Sequence, residues 1–112
     1  MIKLVLLKSG EEVITIIEEM IVNEKVVGYF FKHPCAAKLY SDGSPEDKYR
    51  IKLTPWMPLS KNEVIPVVSD WIISITDPVD KLQQMYEKGI EKHEAGKSES
   101  IDSTESESGN TD

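Results

Sequence analysis

Leu7-Lys8-Ser9-Gly10-Glu11-Glu12-Val13 joins two strongly apolar runs near the start of the chain. Gly10 accepts the positive φ that a tight turn needs, so the pattern reads as strand, turn, strand. The first run is Ile2-Lys3-Leu4-Val5-Leu6-Leu7 and the second is Val13-Ile14-Thr15-Ile16-Ile17, rich in β-branched residues. A hairpin this close to the N-terminus opens a small all-β module rather than a nucleotide fold. Gly10 and Gly28 stand alone and build no phosphate loop.

The rest of the chain continues the pattern. Glu18 to Lys25 is polar at both ends and reads as a loop. Val26 to Lys32 is a third strand, with Gly28 marking a bend or bulge. His33-Pro34 interrupts it, because proline has no N–H to donate, and Cys35 to Tyr40 continues the strand past the kink. Ser41 to Asp47 is a loop. Tyr49-Arg50-Ile51-Lys52-Leu53-Thr54 alternates with period two, as a half-buried strand does. Pro55 to Ser60 is an extended segment pinned by two prolines, and Val64 to Val68, with Pro66 inside it, belongs at an edge or bulge. Trp71 to Thr76 is the last strand.

Asp77-Pro78-Val79-Asp80 then starts a helix, with Asp77 as cap, Pro78 at the first helical position and Asp80 on the positive end of the dipole. Val79, Leu82, Tyr86 and Ile90 recur at spacings of three or four and form one apolar stripe. The resulting organisation is a β-domain over residues 1–77, a helix over 78–95, and an acidic Ser-rich tail over 96–112 that is too polar to order itself.

The 112 residues suffice for one domain. The tail holds five acids against Lys97, a net −4, so the preceding residues carry −3 of the chain's −7. That balance gives no general attraction to nucleic acid and no basic face for a membrane surface. The single Cys35 excludes an internal disulfide and fits a reducing compartment, and no apolar run reaches the roughly 20 residues of a membrane-spanning helix. No signal segment is evident, so the expected location is the cytoplasm.

The first strands are apolar on both faces. Val13, Thr15 and Ile17 lie on one side of strand two, and Ile14 and Ile16 on the other. A single antiparallel sheet normally keeps one face wet. The second face must be covered by the helix, by further copies of the chain, or by both, and a closed ring would also remove the open strand edges.

At this point Leu7 to Val13 resembles the first signature of Sm-like (LSm) proteins. Val26-Val27-Gly28-Tyr29, Pro55 to Ser60, and Trp71 to Ile75 followed by Asp77-Pro78 resemble the small Sm-like proteins of cyanophages. The resemblance covers about residues 2–92. It implies a strongly bent five-stranded antiparallel open barrel with a C-terminal helix, assembled as a homo-oligomeric ring. For a phage protein the cytoplasm would be that of the infected bacterial host. RNA, or a phage or host protein, is then the expected partner beyond the chain itself.

The candidate residues come from the chain's own chemistry, not from the resemblance. Arg50 and Lys52 share one face of the alternating strand, and with Tyr49 they are the RNA-binding candidates. Trp56, Met57 and Leu59 are the candidates for a protein interface. His33-x-Cys35 offers two soft ligands where a structural zinc site wants four, so no metal and no cofactor is expected. No nucleophile motif frames Ser9, Ser60 or His33, and the chain reads as non-enzymatic. The expected function is a ring that binds RNA through repeated weak sites, with a protein-only scaffold as the alternative. The acidic tail reads first as a solubilising brush; the alternative is that it competes with RNA for the basic face, in which case removing residues 96–112 would tighten binding, most visibly at low salt.

Overall fold

The computed structural model describes residues 1–46 and 48–99. Over the described residues the chain forms six antiparallel strands, one α-helix and a 3-10 turn at Ser69–Trp71: β1 (Ile2–Leu7), β2 (Glu12–Val22), β3 (Lys25–Ser41), β4 (Tyr49–Pro55), β5 (Val64–Val68), β6 (Ile72–Thr76) and α1 (Asp80–Glu99). The sheet order is β4-β3-β2-β1-β6, with β5 also paired to β3. The sheet is unclosed among the described residues.

The turns follow from local chemistry. Gly10 takes φ +91° between β1 and β2, and its N–H bonds the Leu7 carbonyl at 2.9 Å. At the next hairpin Asn23 and Glu24 both take positive φ, 52° and 66°, as a two-residue turn matched to strand twist requires. So β2 runs on to Val22, and the segment from Glu18 onward, expected to be a loop, is a ladder. Its charges do not break it, because Glu18 and Glu19 are exposed while their backbones pair with Phe30 and Tyr29.

Strand β3 organises the sheet. One side pairs with β2. The other pairs with β5 over Gly28 to Lys32 and with β4 over Cys35 to Ser41. β4 and β5 therefore lie end to end along one strand, and the sheet has the six strands read from the residues rather than the five that the resemblance implies. Gly28 sits where β5 comes closest, and a Cβ there would lie 2.5 Å from the Val67 carbonyl oxygen. The ladder also shifts register beside it, between Met20 and Ile21.

Both faces of the sheet are apolar and each has its own core. On one, Val5, Leu7, Val13, Phe31 and Val67 are buried together, with Trp56, Ile72 and Ile75 against them. On the other, Ile14 is sealed by Leu82 and Tyr86 of α1, with Leu4, Ile16, Ile51 and Leu53 alongside. The helix thus covers the second face that the sequence leaves in question. It begins at Asp80 rather than Pro78. Asp77 is held by the Lys3 ammonium, and Val79, still outside the helix, is exposed. The backbone stays helical through Glu99, past the expected boundary at Gly96, and the tail expected beyond residue 99 lies outside the described residues.

Candidate functional site

The kink at His33-Pro34 lines a cavity. On β2, Ile14 pairs with Cys35 and Ile16 with Lys32, so Thr15 alone opposes two residues of β3. This is a bulge, and His33 adopts φ +52° within it. The bulge frees backbone carbonyls that must find donors. The buried Thr15 hydroxyl donates to the Lys32 carbonyl at 2.9 Å, and the Tyr86 hydroxyl to the His33 carbonyl at 2.8 Å. Burial pushes the Tyr86 phenol well above its ordinary pKa, with Cys35 adding to the shift.

Opposite the kink the β4–β5 edge loops out. Pro55 pairs with Cys35 and Val64 with Lys32, and the eight residues from Trp56 to Glu63 leave the ladder between them. Both ends of the excursion are fixed. The Trp56 N–H bonds the Pro34 carbonyl at 3.1 Å, and the His33 N–H bonds the Glu63 carbonyl at 2.9 Å. The Trp56 ring packs on Phe31 with centroids 5.9 Å apart, and its Nε1 donates to Glu11 at 3.3 Å. The excursion faces α1 across a cavity of about 490 Å³.

Three titratable side chains meet at that cavity. Glu63 Oε1 lies 3.9 Å from His33 Nε2, and Oε2 lies 3.6 Å from His93 Nε2. The two imidazoles meet edge to face with centroids 5.6 Å apart. Cys35 also lines the cavity, and burial raises its thiol pKa, which keeps it protonated and weakly nucleophilic at neutral pH. Among the described residues no three His, Cys, Asp or Glu are placed to hold a metal ion.

A second site lies on the opposite face of β4. The register sets Lys38 directly across from Lys52 and Tyr40 across from Arg50, and all four side chains are exposed. Tyr49 belongs to the other face, with Ile51 and Leu53, so alternation separates it from Arg50 and Lys52. Tyr40 is the aromatic that accompanies the two cations. Arg50 Nε lies 3.8 Å from Asp42, whose carboxyl is held below its ordinary pKa chiefly by the Ser44 N–H at 2.9 Å. Lys38 and Lys52 have no ion pair among the described residues.

Of the interface candidates, Trp56 is half-buried against the core, whereas Met57 is exposed and Leu59 is fully exposed on the excursion. Sequence reading did not single out Lys38, Tyr40, Glu63 or Tyr86 as site residues. Their roles depend on β3–β4 register and on the excursion's return, neither of which a local pattern encodes. No protein-family model matches the chain, and no curated protein matches it. Among the described residues no helix is long and apolar enough to cross a membrane.

Proposed function

We infer that the chain is a non-enzymatic, Sm-like subunit of a homo-oligomeric ring that holds RNA on the outer face of the β3–β4 ribbon. The observation that carries this reading is the Lys38–Lys52 pair. Like charges directly across an antiparallel ladder destabilise it, and a phosphate placed between them would reverse the sign of that interaction. Arg50 extends the positive face and Tyr40 offers a surface on which a base can stack. Repetition around a ring would turn weak sites into useful affinity. In this reading the resemblance to cyanophage proteins makes the infected host's cytoplasm the working compartment.

The ring component rests on the strand edges. Among the described residues β6 pairs only with β1, and β4 only with β3. β6 has no proline, and in β4 the one proline, Pro55, stands at the last paired position and leaves Tyr49 to Thr54 able to pair further. β5 differs, since Pro66 sits mid-ladder opposite Phe30, tolerated there with its missing N–H turned outward. Two complementary open edges on one chain are what a head-to-tail ring consumes.

A protein-only scaffold is the second reading, favoured by Leu59 and Met57 standing exposed on an anchored loop. One purification separates the two. The native mass and the absorbance ratio are measured before and after nuclease treatment and a high-salt wash. A multimer that sheds nucleic acid, and that no longer retains it when Arg50→Glu and Lys52→Glu are combined, supports the RNA ring. A multimer free of nucleic acid throughout supports the scaffold. A monomer removes both.

A further inference from the structure

Only His33 and Pro34 separate the two ladders on β3, yet the facing edge uses eight residues, Trp56 to Glu63. Those residues form one wall of the cavity of about 490 Å³, a volume within the usual range of small-molecule sites. The wall is held in place without a ligand. Trp56 packs on the core, the Trp56 N–H and the Glu63 carbonyl bond the kink, and the Ser60 N–H closes a turn on the Met57 carbonyl at 3.1 Å. Binding would order little that is not ordered already.

The facing wall is α1, and it is thinned at one position. Gly89 stands in the middle of the helix and lines the cavity, and a Cβ built there would meet no atom within 4 Å. Glycine is the poorest helix former after proline, so the helix itself gains nothing from it. What it provides is space over the cavity. Pro34, Leu53, Met57, Pro58 and Ile90 supply the apolar lining. Lys61 is the one lysine or arginine on that lining, is exposed, and makes no ion pair among the described residues. The Glu63 carboxylate, by contrast, has an imidazole against each oxygen, His33 at 3.9 Å and His93 at 3.6 Å. The cavity therefore combines apolar walls with one available cation at its rim. Methylenes buried between such walls gain free energy without directional partners, so an aliphatic chain asks nothing more of the lining. A single ammonium suits a monoanion, whereas a phosphate draws on several donors.

We propose that this cavity binds a medium-chain aliphatic carboxylate, its chain between the excursion and α1 and its carboxylate on Lys61 at the rim. The site lies on the helix side of β4, away from Arg50 and Lys52, so it stands or falls separately from the RNA reading.

The test is calorimetric titration of the full chain with hexanoate, octanoate and 1-octanol. Octanoate should bind about tenfold more tightly than hexanoate, the gain from burying two further methylenes. It should bind about threefold or more tightly than 1-octanol, the strength of a part-exposed ion pair. Lys61→Gln should abolish the preference for the carboxylate. Gly89→Leu should fill the space over the cavity and weaken octanoate at least about tenfold, the reverse of burying two methylenes. Its melting temperature should not fall, because leucine is the better helix former. The proposal is overturned if octanoate does not bind at millimolar concentration, or if 1-octanol binds as tightly as octanoate. It is equally overturned if Lys61→Gln keeps the preference, or if folded Gly89→Leu binds octanoate like the parent.

Discussion

Tyr86 shows how one side chain joins fold and site. Its ring closes the core over Ile14, and its hydroxyl satisfies a carbonyl that the β3 bulge releases. Its folded-state pKa is raised above the ordinary value of 10.0. The stabilisation it contributes is therefore complete below about pH 10 and is lost as pH rises toward the folded value. Tyr86→Phe should cost about 1–3 kcal/mol near neutral pH, the cost of a buried carbonyl left without its donor. The variant should also lose less stability than the parent between pH 9 and 11. Urea midpoints of both proteins across that range check the sign, and parallel curves would refute it. The sequence shows Tyr86 plainly as a stripe residue, but not as a partner of the kink. His33-Pro34 announces the kink, yet the donor that satisfies it comes from a helix more than fifty residues away.

At the scale of elements, α1 decides how much apolar surface is left for anything else. Leu82 and Tyr86 bury against the second face of the sheet, and Ile90 packs beside them. Leu82→Ala should cost about 2–4 kcal/mol through lost transfer energy and a cavity. It should also loosen the helix from the sheet, read as increased binding of a hydrophobic dye before the main unfolding transition. A single unchanged transition would mean that the helix contributes less cover than its burial implies. The helix is legible in sequence because 3.6-residue periodicity is a local property. The collinear β4–β5 edge is not, because the partner register of β3 is long-range. Nor is the full length of β2, since Glu18 and Glu19 resemble loop charges until their alternation with paired backbone is seen.

For the whole molecule, the decisive feature is the edge of β6. Ile73 falls at the irregularity in the β1–β6 ladder and is 60% exposed, and Trp71, two residues before it, is also exposed. In an isolated subunit this apolar edge would be a liability for uncontrolled pairing. In the proposed ring it is covered by the neighbour's open edge. The two situations respond differently to charge. Ile73→Lys places an ammonium on a surface position, where substitutions usually change monomer stability by less than about 0.5 kcal/mol. If the edge is a ring contact, that variant should fall to monomer mass by light scattering while keeping its β-rich circular dichroism. Its melting temperature should also become independent of protein concentration, since assembly no longer adds to stability by mass action. Retention of the parent's multimeric mass would place the contact elsewhere. The charged ribbon of β4 would then keep its edge as well as its face for an anionic partner, and the multimer built by the other contact would still supply the avidity that a chain of net charge −7 needs.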